Sequence, residues 1–292
     1  MRRRSVLVLP GDSERMVAKA QLVPADEIVL DLEDAVPPEP RFKRAARKRL
    51  LELALYHPFP GRQLAVRVNR VGTREGLDDL LEVVPKLGSR LASVVVPKVQ
   101  EPSEVAFVDR VLAMLGEPGG HRVKIQIQIE DPRGLEAVGQ LAEASLRVSS
   151  LIFGPGDFAA AMGMPTLAIG GEAPGYPGDI WHYPLYRIAV AARARGLQVV
   201  DGPYSALDDE EGLARSSQRA AALGVDGKWA IHPGQLETIN RAFTPSSEQV
   251  EWARAVLTGL GQGGARRIGG EMVDEATRRL AESLLARAAE SS

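Results

Sequence analysis

The chain has no cysteine among its 292 residues and only four histidines. The first absence excludes disulfides, thiolate metal sites, iron–sulfur clusters and cysteine nucleophiles. Together the two leave oxygen ligands and acid or base side chains to carry any chemistry. Neither sign of charge is in excess, since 36 Lys and Arg stand against 38 Asp and Glu, for a formal net charge of −2. No global basic field exists to hold a nucleic acid by counterion release. No apolar run approaches the roughly 18 residues of a bilayer span, and Gly11 and Asp12 break the opening MRRRSVLVLPGD before it is long enough for a signal peptide. A cytoplasmic protein with neither a membrane nor a nucleic-acid partner is expected. There is no G-x-x-x-x-G-K-[ST] and no G-x-G-x-x-G after a strand, which argues against a P-loop or a dinucleotide fold. There is also no G-x-S-x-G elbow for a serine nucleophile.

What the sequence has is a repeating order of elements. With 45% hydrophobic residues it can bury a sizeable core. Eight short runs rich in Val, Ile and Leu occur at residues 5–10, 27–34, 63–69, 92–99, 123–130, 149–154, 197–203 and 227–233. Between them lie stretches with helical spacing, such as 14–21, 40–55, 101–115, 133–144, 185–195 and 209–223. Alternating strand and helix implies a parallel sheet covered on both faces, and eight units are the number that closes a (β/α)8 TIM barrel. An open doubly wound sheet is the alternative. The barrel is expected over residues 1–245 and a C-terminal helical extension over 246–292, where residues 247–260 and 276–289 have helical spacing and the Gly-rich link at 259–270 reads as a hinge.

Each run ends in polar residues that a purely structural strand seldom uses, and in a barrel all eight ends meet at one rim, where active sites lie. Glu130 and Asp157 end the fifth and sixth runs. Such a pair suits a hard divalent cation such as Mg2+, with a surface acid pair as the plain alternative. Gly156, in the Gly-Pro-Gly turn before Asp157, can offer backbone N–H groups to an anion. Arg67 lies between apolar neighbours in AVRVN, where it either holds a carboxylate or oxyanion of a substrate or pairs with Glu33 or Asp34. Lys98 is open to a phosphate or a strand-end carboxylate. Arg15, Lys19 and the Arg2 to Arg4 group are either a solvated face or a seat for a phosphorylated cofactor. His232, before Pro233, reads as a loop-orienting residue. Asp274 alone reads as the N-cap of the last helix.

The motifs SVLVLPGDSERM, IVLDLEDAVPP, AVRVN, VVVPKV, QIEDPRG, LIFGPGDFAA, AARARGLQVVDGPY, GVDGKWAIHPGQ and GGEMVD, in this order, resemble the citrate lyase β-subunit and malyl-CoA lyase family of the HpcH/HpaI aldolase superfamily. YPGDIWHYP and DGKWAIHP resemble the malyl-CoA and β-methylmalyl-CoA lyases more than the β-subunit of citrate lyase. The resemblance implies a TIM barrel with a C-terminal lid, in a homotrimer or a hexamer built from trimers, with lids exchanged between subunits. It implies Glu130 and Asp157 as Mg2+ ligands, with Mn2+ an alternative. Arg67 would be the active-site arginine and Asp274 the acid of the lid, a role that replaces the N-cap reading. Arg15, Lys19 and, more weakly, Lys98 would lie where coenzyme A is taken up. Ser13-Glu14 and Asp131 depart from the family's commoner Arg-Pro and Thr. The first departure bears on the coenzyme A contacts.

The implied reaction is a reversible Claisen-type cleavage of a 3-hydroxyacyl-CoA, for example malyl-CoA to acetyl-CoA and glyoxylate. Asp274 would act as base in the condensing direction, Arg67 would stabilise the enolate, and Gly156 with Asp157 and Arg67 would seat the oxo acid. Alternatives are a citramalyl-CoA or citryl-CoA lyase, a malyl-CoA thioesterase, a pyruvate aldolase without coenzyme A, and a partner-dependent subunit.

Overall fold

The computed structural model describes residues 3–116, 120–165, 168–173, 175–260, 265–268 and 270–289. Eight parallel strands, β1 (Ser5–Pro10), β2 (Glu27–Asp31), β3 (Gln63–Arg67), β4 (Ser93–Val96), β5 (Lys124–Ile129), β6 (Val148–Phe153), β7 (Gln198–Asp201) and β8 (Gly227–Ala230), pair in sequence order. β8 also pairs with β1, through Val6 and Trp229 among others. That pairing closes the barrel and excludes the open sheet. Among the described residues no helix is long and apolar enough to cross a membrane.

The helices between strands are α1 (Glu14–Ala20), α2 (Pro40–Tyr56), α3 (Arg74–Leu87), α4 (Pro102–Leu115), α5 (Pro132–Glu136), α6 (Val138–Glu143), α7 (Pro155–Met162), α8 (His182–Arg193) and α9 (Glu210–Ala222). After the barrel come α10 (Leu236–Ala242), α11 (Ser247–Leu260), the hairpin β9 (Arg266–Ile268) and β10 (Glu271–Val273), and α12 (Glu275–Ala289). The stretch 133–144, expected as one helix, divides at Ala137. Arg187 on α8 donates to the carbonyls of Leu135 and Glu136 at 3.2 Å each, drawing on the acceptors a continuous helix would use.

Alternation along the strands sorts the core into two layers. Outward residues such as Leu9, Ile28, Val66, Ile127 and Phe153 pack under the helices. Inward residues Val6, Val29, Ala65, Val95, Ile152, Val200 and Trp229 form an apolar belt inside the barrel. Below that belt, at the strands' N-terminal ends, the interior is polar and buried. Arg3 pairs with Glu27 at 3.0 Å and donates to Gln63 and Gln198, while Gln126 donates to Glu27 and Ser93. Arg4 pairs with Asp26. Arg3 and Arg4 therefore sit at the end opposite the rim, which corrects their reading as a phosphate seat; Arg2 lies outside the described residues.

The extension has a small core of its own, in which Ala253, Val256 and Leu260 of α11 meet Val273 and Ala281. The Gly-rich link expected as a hinge holds the β9–β10 hairpin, its residues 261–264 and 269 lying outside the described residues.

Candidate active site

A cavity of about 380 Å³ opens at the C-terminal ends of the strands, with Asp31, Asp34, Arg67, Glu130 and Asp157 among its walls. Glu130 stands one residue past β5 and is 2% exposed. Its carboxylate is held at both oxygens: the Lys98 backbone N–H donates to Oε1 and the Gln128 amide to Oε2, each at 2.7 Å. Lys98 has φ 54°, the only positive φ outside glycine among the described residues, a conformation costing an L-residue about 1 kcal/mol. Gly154 packs against the same side chain, where a Cβ would lie 2.5 Å from Glu130 Cβ and 2.6 Å from Oε2. Burial, reinforced by the charges of Glu33 and Asp157, raises the Glu130 pKa well above the usual carboxylate value.

Asp157 was expected at the end of β6, but it lies in the first turn of α7 and is exposed. A helix N-terminus favours an anion there. Gly156, beside it, also lines the cavity, and a Cβ there would meet nothing nearer than Ile169 Cγ2 at 3.8 Å. The fold requires a glycine at 154 by contact and leaves the space above 156 open.

Arg67 closes the opposite side. Its Nε and Nη2 form a two-pronged bond to Asp31 at 2.7 Å each, and Nη1 approaches Glu33 at 3.1 Å and Asp34 at 3.4 Å. Burial opposes its charge, but these three carboxylates outweigh burial and raise the pKa above its ordinary value, so the guanidinium stays charged. Its ring neighbour is Trp229, 5.5 Å away. Thus the expected pairing with Glu33 and Asp34 exists, and it coexists with a place on the cavity wall. Lys98 meets strand-end carboxylates rather than a phosphate: its ammonium lies 2.6 Å from Glu33, 3.1 Å from Asp34 and 3.9 Å from Asp157.

The cavity and its margin suit a hard divalent cation. Asp31, Glu33, Asp34, Glu130 and Asp157 outnumber Arg67, Lys98 and the buried Lys43 by two charges. Only oxygen donors face the excess. Among the described residues no three His, Asp or Glu form a ready-made cage. A cation held by Glu130 and Asp157 would complete its shell with water or substrate oxygens, which is the habit of Mg2+.

Other expected residues lie apart. Arg15 and Lys19, one turn apart on α1, line a separate apolar cavity of about 180 Å³ that shares Val8, Leu9, Pro10 and Ile231 with the first. His232 also lines it and caps its own turn by accepting from Gly234 N–H. Asp274 is exposed and caps α12, accepting from the N–H groups of Ala276 and Thr277 at 3.0 and 3.1 Å and from the Thr277 hydroxyl. The bonds to Thr277, chiefly that from its backbone, lower the Asp274 pKa. Within one chain it does not line the cavity, so the N-cap contact that the resemblance had displaced is present after all. Several polar strand endings also fail to meet at the rim. Asn69 turns to Asp79, Asp131 caps α5, and Asp201 pairs with the buried Lys228. Sequence reasoning missed Asp31, Gln128 and Trp229, although alternation in VLD, QIQIE and KWA places all three on inward positions.

A closed barrel whose acidic mouth has an arginine on one wall and a glutamate and an aspartate on the other defines a class of metal-assisted aldolase-like sites. The chain belongs to the HpcH/HpaI aldolase/citrate lyase family, whose model matches residues 4–233. It is 34% identical to the L-malyl-CoA/beta-methylmalyl-CoA lyase of Cereibacter sphaeroides, covering 98% of this chain and 94% of that one. It is 33% identical to the malyl-CoA/beta-methylmalyl-CoA/citramalyl-CoA lyase of Chloroflexus aurantiacus, over 94% and 84%. Among solved structures, CitE of Mycobacterium tuberculosis, in complex with magnesium, acetoacetate and coenzyme A, superposes with a TM-score of 0.79 at 29% identity, covering 99% of this chain and 98% of that one.

Proposed function

We propose that the chain is a magnesium-dependent carbon–carbon lyase that cleaves malyl-CoA or β-methylmalyl-CoA, reversibly, to acetyl-CoA or propionyl-CoA and glyoxylate. The convergence of Glu130, Asp157 and Arg67 on one cavity carries this reading. Glu130 and Asp157 hold the Mg2+ ion, or Mn2+ in its place, and when bound it supplies a Lewis acid for the carbonyl of the oxo acid. N–H groups of the first turn of α7, at Gly156, face the oxo acid's carboxylate. Arg67 has five N–H groups, and Nη2 keeps one beyond its bond to Asp31; with it Arg67 steadies the oxygen of the thioester enolate. Arg15 and Lys19 have no ion pair among the described residues and receive the coenzyme A phosphates, while the apolar cavity beside them takes the pantetheine arm.

Asp274 is the base that removes the acetyl methyl proton in the condensing direction. Because it does not line its own chain's cavity, the base acting there is Asp274 of the partner subunit, in a cytoplasmic trimer or hexamer with exchanged lids. Closure of that lid dries the site, which a carboxylate needs when it deprotonates so weak an acid.

The test offers the purified chain malyl-, β-methylmalyl-, citramalyl- and citryl-CoA with Mg2+ and follows oxo acid, acyl-CoA and free thiol. Glyoxylate appearing in step with acetyl- or propionyl-CoA from the first two is expected. Free thiol with no oxo acid identifies a thioesterase, and inertness toward all four thioesters refutes the lyase reading.

A further inference from the structure

Two polar atoms at the cavity have no partner. The Gln128 carbonyl oxygen and the Trp229 indole N–H are both buried and unbonded, on side chains 4% exposed that line the cavity. With Glu130 ionised, as a metal ligand is, the Gln128 amide is not free to turn, because its nitrogen donates to Glu130 Oε2 at 2.7 Å and a carboxylate takes only donors. Its carbonyl must therefore point away from Glu130 as an acceptor. Leaving a buried acceptor unsatisfied is costly, and a ligand hydroxyl answers the Gln128 oxygen, since it can donate. The hydroxyl of the cleavage substrate qualifies. The carbonyl it becomes in the oxo acid accepts only and leaves the Gln128 oxygen bare.

We propose that Gln128 recognises the hydroxyl of the 3-hydroxyacyl thioester, accepting its O–H at Oε1 while its amide nitrogen positions Glu130. This rests on the malyl-CoA reading and adds a rule of selection. The site favours the hydroxylated thioester over its deoxy counterpart because a buried oxygen is otherwise left unpaired.

Succinyl-CoA is malyl-CoA without the hydroxyl and serves as the probe. For wild type, Gln128→Met and Gln128→Glu, calorimetry gives the Kd of succinyl-CoA and of Mg2+ alone, thermal unfolding checks the fold, and initial rates give kcat/KM for malyl-CoA. Gln128→Met is expected to lose about tenfold or more in kcat/KM for malyl-CoA while succinyl-CoA binding stays within about threefold. Gln128→Glu keeps an acceptor oxygen but not the donor to Glu130, so it retains the preference for the hydroxylated thioester and weakens Mg2+. The proposal is overturned if Gln128→Met leaves kcat/KM within about threefold, or if succinyl-CoA binding weakens in parallel with it, which would make Gln128 a support for Glu130 alone; weaker Mg2+ binding is expected in both variants, since both lose the donor to Glu130. A wild type that binds neither thioester overturns the lyase reading along with this one, whereas a wild type and Gln128→Met that discriminate equally overturn this one only.

Discussion

Glu130 is held by the Lys98 N–H, by the Gln128 amide and by the absence of a side chain at Gly154. A single methyl group tests the third. Gly154→Ala would push Cβ against Glu130 from 2.5 Å, in a pocket too tightly packed to give way cheaply, so Mg2+ affinity measured calorimetrically should fall about tenfold or more. Gly156→Ala meets only Ile169 at 3.8 Å and should bind Mg2+ as wild type does. Equal affinity in both variants would show that the position of Glu130 does not govern metal binding. At this scale Glu130, Asp157 and Arg67 were legible because charged residues at strand ends are hard to explain by packing alone. Asp31 was not singled out, since in IVLDLED one acid among three gives no sign of which takes the arginine; the two-pronged bond exists only once β2 and β3 pair Asp31 with Arg67. Lys98 was ambiguous for a similar reason. Its ammonium meets Glu33 from a segment 65 positions away.

The eight strands were readable because each is a short β-branched run, and their order followed from alternation with helices. Their ends were less readable. Predicted runs overreached at β2, β3, β4, β7 and β8, whose last two or three residues lie past the strand ends, although the Leu32 and Val68 N–H groups still bond the Arg67 and Val95 carbonyls of the next strand. The β9–β10 hairpin was hidden by glycines that read equally well as a hinge. Caps, by contrast, follow local chemistry. Asp209 caps α9 by accepting from Gly212 N–H, and its other oxygen takes the Tyr204 hydroxyl at 2.5 Å. Burial first, then Asp209, push the Tyr204 pKa up to about 12, whereas an unfolded tyrosine titrates near about 10. Between these values the unfolded chain has lost the proton that the folded chain keeps. Stability then falls as pH rises, because the native state binds more protons. The other four tyrosines are exposed. Urea unfolding should show wild type losing more stability than Tyr204→Phe between pH 10 and 12, with the variant less stable at pH 8 by about 1 kcal/mol. Parallel curves would mean that the Tyr204–Asp209 contact does not hold the proton.

At the scale of the whole molecule the division of labour is between barrel and extension. The barrel supplies Arg67, Glu130 and Asp157 to one cavity, while α11, the hairpin and α12 gather around a second core. Asp274 belongs to that second unit, at the start of α12 and away from the lining of its own chain's cavity. If each site takes Asp274 of the partner subunit, the two halves of the machinery are separable by mutation and can be rejoined by mixing. Glu130→Ala should fail to bind Mg2+ and Asp274→Ala should bind it normally, and each pure variant should be inactive. Dissociating and reassembling the two together, in equal amounts, pairs intact barrels from Asp274→Ala with intact lids from Glu130→Ala. Random pairing in a closed ring leaves about one site in four with both partners intact, so about a quarter of wild-type turnover should return. A lid that serves its own barrel predicts none, since every chain then carries one lesion into its own site. The recovered fraction, followed against the mixing ratio, therefore measures directly whether the acid at the start of α12 crosses from one chain to the next.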